Sequence, residues 1–174
     1  MSENLHVFYD FDRNKIIMVQ QKIENKDGSK NYIPWTYYDD GVWRALEPDK
    51  GLPFWKPEKK RNKSRIMIHE GAKAAKFVDR LVNDRAMKEE LEAHPFGEEF
   101  KKFEHWGIVG GALAPHRSNY EDLYKMKPIE TIYVCDNDSP GRAALQKISK
   151  SYKQSLKGFK FDDLWPVSFD FADP

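Results

Sequence analysis

Thr131-Ile132-Tyr133-Val134-Cys135-Asp136-Asn137-Asp138-Ser139-Pro140-Gly141-Arg142 runs from an unbroken apolar stretch into two acids and then into a helix start. An apolar run of this kind reads as a strand of a parallel sheet, buried on both faces. The carboxyl end of such a strand opens on the crevice where ligands bind. Side chains at i and i+2 of a strand share a side, which aims Asp136 and Asp138 together. Two carboxylates converging with no basic residue between them repel unless a divalent cation sits on them. The competing reading is an Asp-rich turn that caps the following helix, where Asn, Asp and Ser are common. That helix is predicted by Ser139 as its cap, Pro140 in its first turn, and an inward stripe of Ala144, Leu145, Ile148 and Tyr152.

Arg65-Ile66-Met67-Ile68-His69-Glu70-Gly71 repeats the pattern upstream, with a short apolar run ending in an acid and a glycine. Behind it Ala74, Phe77, Val78, Leu81 and Val82 fall at the spacing of an amphipathic helix. Two strand-acid-glycine-helix units predict an α/β fold of parallel strands with right-handed crossovers. If the two strands are neighbours, Glu70 faces Asp136 and Asp138 across one crevice and a three-carboxylate site results.

Glu-Gly followed far downstream by Asp-x-Asp resembles the signature of the Toprim domain, shared by topoisomerases and bacterial-type primases. The chain reads Glu70-Gly71-Ala72-Lys73-Ala74-Ala75, then His105-Trp106-Gly107-Ile108-Val109-Gly110-Gly111-Ala112, then Val134 to Ala144. This order is most similar to the Toprim domains of phage- and plasmid-type primases and primase-helicases. Tyr9-Asp10-Phe11-Asp12, Lys26-Asp27-Gly28-Ser29-Lys30, Ile33-Pro34-Trp35 and Leu52-Pro53-Phe54-Trp55-Lys56-Pro57-Glu58 look like the β-rich segment that precedes the domain there. The resemblance covers most of the chain. It implies a Rossmann-like parallel sheet flanked by helices over residues 63–174, preceded by a small antiparallel β-rich subdomain over residues 1–62.

The function it implies is a DNA primase core, a nucleotidyltransferase dependent on Mg²⁺ or Mn²⁺. Such a core makes RNA primers from nucleoside triphosphates on a single-stranded DNA template, in the cytoplasm of a bacterial or phage-infected cell. Zinc-module cysteines are missing, and no Gly-x-x-x-x-Gly-Lys-Ser/Thr phosphate loop is present. The chain closes at Phe169-Asp170-Phe171-Ala172-Asp173-Pro174, about where the related proteins begin a linker to a helicase. A fragment of a longer polypeptide, or a core that works with a replicative helicase, is therefore expected. The alternatives are a Toprim metal-dependent nuclease and a non-catalytic module that binds nucleic acid or replication proteins.

Within that resemblance Asp136 and Asp138 bind the metal, and Glu70 joins it or acts as general base on the 3′ hydroxyl. Gly71, Gly110, Gly111 and Gly141 let backbone approach phosphate, or else serve turns. Lys73 and Arg142, near the two helix starts, are phosphate-binding cations or simply exposed helix residues. The densest positive run spans Lys56 to Arg65. It is either a solvated linker or a nucleic-acid contact beside the metal site made by Lys59, Lys60, Arg61, Lys63 and Arg65. Trp35, Trp43, Phe54 and Trp55 are expected in the core of the small sheet, with base stacking as the other possibility.

Strands are predicted at Val7-Phe8-Tyr9, Lys15 to Ile23 and Asn31 to Tyr38. Asp10 and Asp12 flank the first turn and read as turn chemistry. Between the acidic motifs, Met87 to Glu92 and Gly97 to Phe103 form two charged helical pieces broken at Pro95 and Gly97, anchored by Leu91, Phe96, Phe100 and Phe103. His94, His105 and His116 lack ligand spacing. The 174 residues suit one domain with a small appendage. A net charge of +1 supplies no global attraction to nucleic acid, so contacts must be local patches. The lone Cys135 excludes an internal disulfide. No N-terminal apolar stretch is long enough for a signal or membrane helix, so a soluble, intracellular chain with no membrane partner is expected.

Overall fold

The structure is a computed structural model that describes residues 4–111 and 114–159. Strands β1 (Leu5–Tyr9), β2 (Ile16–Glu24), β3 (Lys30–Tyr37) and β4 (Trp43–Arg44) form an antiparallel meander in chain order. Its first turn closes when Asp10 Oδ1 accepts the backbone N–H groups of Asn14 at 2.8 Å and Lys15 at 3.2 Å. Asp10 is thus a turn residue, as its position predicts.

Period-two alternation sorts this sheet into two faces. Phe8, Met18 and Thr36 form one cross-strand row on the inner face, and all three are buried. Phe8 and Met18 pack on Leu52, Trp55, Ala72, Ala75 and Val109, fixing the meander to the rest of the molecule. Burying each such side chain contributes about 1.5–3 kcal/mol.

The second sheet is wholly parallel, in the order β6-β5-β7-β8. It comprises β5 (Arg65–His69), β6 (Glu104–Gly107), β7 (Glu130–Val134) and β8 (Lys157–Phe159). Its helices are α1 (Ala72–Asn83), α2 (Lys88–Ala93), α3 (Gly97–Phe100), α4 (Glu121–Met126) and α5 (Ser139–Ser151). Ile66 and Ile68 pack with Leu123 of α4 and with Ala144 and Ile148 of α5. Met67, on the opposite face, packs with Val78, Leu81, Leu91 and Phe100 of α1 to α3. Both faces are therefore covered, which explains why β5 and β7 read as continuous apolar runs. The α/β class, with an antiparallel sheet beside the parallel one, is as the sequence predicts. Residues 84–104 also follow expectation, with Leu91, Phe100 and Phe103 buried as anchors.

Three expectations change. The stretch around Lys56 is not a solvated linker. Trp55 exchanges backbone hydrogen bonds with Gly107 at 2.8 and 2.9 Å along the β6 edge, and Lys56 is fully buried in an ion pair with Asp122. Of the four aromatics expected in the core, Phe54 and Trp55 are buried, whereas Trp35 and Trp43 are 40% and 41% exposed. Trp35 adjoins the inward Thr36, so alternation turns it outward, and Trp43 meets the Tyr37 ring at a tilt, with centroids 5.4 Å apart. Finally, β7 ends at Val134, so strand alternation does not orient Asp136 and Asp138. Phe169–Pro174 and Ala112 lie outside the described residues.

Candidate functional site

Chain order reverses between β5 and β7. From β5 the chain passes through α1 to β6 on one side, then returns through α4 to β7 on the other. Ligand crevices of open α/β sheets lie at such a reversal, beyond the carboxyl ends of the strands. His69 and Val134 are register partners there, so the residues that follow them emerge side by side. Glu70, only 9% exposed, reaches across, and its Oε2 accepts the backbone N–H of Asp136 at 3.0 Å. Gly141 seals the junction from below. A Cβ there would stand 2.4 Å from Asp136 O and 2.9 Å from Glu70 Oε2, so only glycine lets α5 start this close.

Asp138 takes a different part. Its N–H turns back to Asp136 O at 2.8 Å, and its Oδ1 accepts the N–H of Gly141 at 2.6 Å. Asp138 is thus the N-cap of α5, in extended conformation, and Ser139 is displaced from cap to first turn. Glu70 and Asp136 both line one cleft, while Asp138 holds the start of α5.

The cleft, of about 490 Å³, opens over these two residues. One wall carries Glu70, Asp136, Gly71, Lys73, Gly110 and Gly111. Gly110 and Gly111 have φ of 89° and 61°, the left-handed region that glycine occupies without strain. Arg117, ion-paired with Glu47, stands on the rim. The facing wall belongs to the meander and carries His6, Gln20, Tyr32 and Pro34. Of the residues singled out in the sequence, Arg142 lies exposed on the first turn of α5 and is not part of either wall.

The field at the β7 end is negative. Burial, and after it the carboxylates of Glu70 and Asp136, push up both the Tyr133 phenol and the Cys135 thiol. Both groups stay protonated, and the same field favours a cation. Among the described residues no cluster of three or more His, Cys, Asp and Glu side chains forms a metal cage. Two hard carboxylates do suit Mg²⁺, which commonly takes one or two and completes its shell with water and substrate phosphate. Glu70 and Asp136 would be the residues to hold such an ion.

The basic run sits elsewhere. Arg65 begins β5, at the opposite end of the strand from Glu70, and pairs with Glu130 at 3.2 Å. Arg61 forms a two-pronged contact with Asp79 at 3.0 and 2.6 Å, and Lys63 donates to Lys101 O at 2.7 Å. Only Lys59 and Lys60 of this group are exposed, with Lys60 over the Phe11 ring. The run therefore does not flank Glu70 and Asp136, and four of its cations, Lys56, Arg61, Lys63 and Arg65, bind the protein itself. Conversely, His6, Gln20, Tyr32, Glu47 and Arg117 reach the cleft without any local sequence signal, because cross-strand register and loop packing bring them there.

No protein-family model, curated protein or solved structure matches this chain. Its class rests on the coordinates: an α/β unit with a four-stranded parallel sheet, joined to a four-stranded antiparallel sheet. Among the described residues no helix is long and apolar enough to cross a membrane.

Proposed function

We propose that the chain is a Toprim-type catalytic core that transfers nucleotides, the primer-making centre of a DNA primase. The observation that carries this reading is Glu70, at the end of the central β5, held against the first residues beyond β7 on the wall of a cleft that also holds Lys73. Carboxylates and cations converging at a strand-order reversal suit a polyanionic substrate.

In this reading Glu70 and Asp136 are the residues that hold Mg²⁺ or Mn²⁺, which when bound neutralises charge on the triphosphate. Lys73, in the first turn of α1, and Arg117 on the rim offer positive charge to phosphate oxygens. Backbone at Gly71, Gly110 and Gly111 lets a phosphate approach closely. Asp138 and Gly141 act indirectly, since they set how α5 meets the acid pair. Template contact comes from exposed Lys59 and Lys60 and from outward-facing Trp35 and Trp43, where cation and stacking surface suit a single strand.

The test is incubation with Mg²⁺ or Mn²⁺, single-stranded DNA and ribonucleoside triphosphates. Template-dependent oligoribonucleotides that vanish in Glu70→Gln and Asp136→Asn support the reading. Shortening of the DNA without nucleotide incorporation assigns the same acid pair to a nuclease. Neither product, with unchanged DNA affinity in both variants, leaves a binding module.

A further inference from the structure

Among the described residues, the meander strands line the wall opposite the carboxylates with His6, Gln20, Tyr32 and Pro34, none of them an acid, a lysine or an arginine. On the inner face of the meander, the buried row Phe8, Met18 and Thr36 is followed two residues along each strand by His6, Gln20 and Pro34. The register makes His6 and Gln20 partners, and Gln20 and Pro34 partners, so these three form one row about 7 Å beyond the packed row. Tyr32, two residues on from Pro34, shares the same face and is 48% exposed. The sheet thus overhangs the cleft, presenting an imidazole, a carboxamide and a phenol ring side by side.

One atom on this wall is conspicuous. His6 Nδ1 is buried, and it has no hydrogen-bond partner among the described residues. Burial, with Lys76 and Lys22 nearby, holds the imidazole below its ordinary range. It is therefore neutral near pH 7, and its unpaired nitrogen can accept or donate according to tautomer.

We infer that this overhang is the base-binding half of the cleft: Tyr32 supplies a stacking surface for the base of a nucleoside triphosphate, and His6 and Gln20 meet its hydrogen-bonding edge. The inference rests on the proposed nucleotidyl transfer and names the part of the site that selects the nucleotide. A two-part ligand matches a two-part cleft, with a planar, uncharged heterocycle against the meander and a polyanion toward Lys73, Arg117 and the carboxylate pair. The volume of about 490 Å³ is in the range of small-molecule and cofactor sites. His6, Gln20 and Tyr32 touch the base alone, so they are specificity residues and not catalytic ones.

Calorimetric titration with Mg²⁺ and each of the four ribonucleoside triphosphates, beside inorganic tripolyphosphate, tests the inference. Stacking of one base is worth about 1–3 kcal/mol, or roughly 5- to 150-fold in affinity. Tyr32→Ala is expected to weaken every nucleotide within that range and leave tripolyphosphate unchanged, while Tyr32→Phe binds like the parent. His6→Ala and Gln20→Ala are expected to flatten the differences among the four bases. Tyr32 is half exposed, so its substitution does not endanger the fold. Nucleotides bound equally by parent, Tyr32→Ala and Gln20→Ala overturn the inference, and primer synthesis by the same variants then leaves the proposed activity standing. Failure of the parent to bind any nucleotide, or to incorporate one, overturns both.

Discussion

Glu70 Oε2 and the backbone N–H of Asp136 lie 3.0 Å apart, joining the residue that follows β5 to the segment that follows its neighbour β7. The contact orients a carboxylate by a main-chain donor that strand register places beside it. It also couples the acid pair to α5, because Gly141 packs against both Glu70 and Asp136.

Substituting Gly141 by Ala should therefore disturb the site from behind. The added methyl meets backbone at 2.4 Å, which cannot yield as a flexible side chain would. Overpacking of this kind costs about 1–3 kcal/mol. Urea denaturation should show that loss, and Mn²⁺ titration of the folded variant should show weaker binding than the parent.

Asp138 and Asp136 separate by chemistry. If Asp138 acts as helix cap, Asp138→Ser keeps the bond to Gly141 and retains both stability and activity, whereas Asp138→Ala loses about 0.5–2 kcal/mol. Asp136→Asn should leave stability near the parent value and reduce Mn²⁺ affinity at least tenfold. Loss of activity in Asp138→Ser with unchanged stability shows Asp138 to be a ligand.

Arg13 and Glu104 form the polar anchor between the two sheets. Glu104 is fully buried, pairs with Arg13, and accepts from Trp106 Nε1 at 2.9 Å and from the Arg61 N–H at 3.2 Å. Removing one partner of a buried pair leaves an uncompensated charge and costs about 3–5 kcal/mol. Arg13→Ala should show that loss in denaturant titration. Adding Glu104→Gln should recover part of it in a double-mutant cycle.

His105 gives stability an acid limb. It is buried, its Nε2 lies 3.0 Å from Phe100 O, and its Nδ1 lies 3.0 Å from His69 Nε2. Burial lowers its pKa from the ordinary 6.5 to about 4. The unfolded chain thus takes up a proton near 6.5 that the folded chain refuses until about 4. Stability is full above the upper value and declines as pH falls toward the lower one. Denaturation midpoints measured across that window should drop less steeply in His105→Gln than in the parent.

The cations of the basic run divide in the same way. Arg61→Ala removes the two-pronged partner of buried Asp79 and should destabilise the fold by about 1–3 kcal/mol. Lys59→Ala with Lys60→Ala should leave the denaturation midpoint unchanged, since both are exposed. The double variant should bind single-stranded DNA with a salt slope shallower by about 1–2, read by fluorescence anisotropy.

Much of the scaffold was legible in the sequence because its signals are local. The apolar runs of β5 and β7, the helical stripes behind them, and the Asp10 turn each depend on neighbours a few residues away. Period and turn chemistry report such neighbours directly. The residues at risk of misreading were those whose fate is set at longer range. Lys56 stands among charges in the chain yet is buried because Asp122, 66 residues on, closes over it. Trp35 has the composition of a core residue and faces outward because its strand partner row packs the other way. Asp138 carries the i+2 acid pattern and serves α5, because β7 stops before the pattern begins.

The chain alone specifies β1, β2, β3, β5, β7, α1 and α5 and sets Glu70 and Asp136 just past strands, since backbone periodicity and turn preference act within one element; β4, β6, β8 and α4 were not legible in it. Three relations come from packing at long range: β5 and β7 are neighbours, Glu70 meets the Asp136 amide, and His6, Gln20 and Tyr32 line the same cleft. Those relations arise from burying Phe8 and Met18 against Ala72 and Val109, and from stacking α1 and α5 on opposite faces of one sheet. Packing of this sort is a property of distant surfaces meeting, and it leaves no mark on any single stretch of chain.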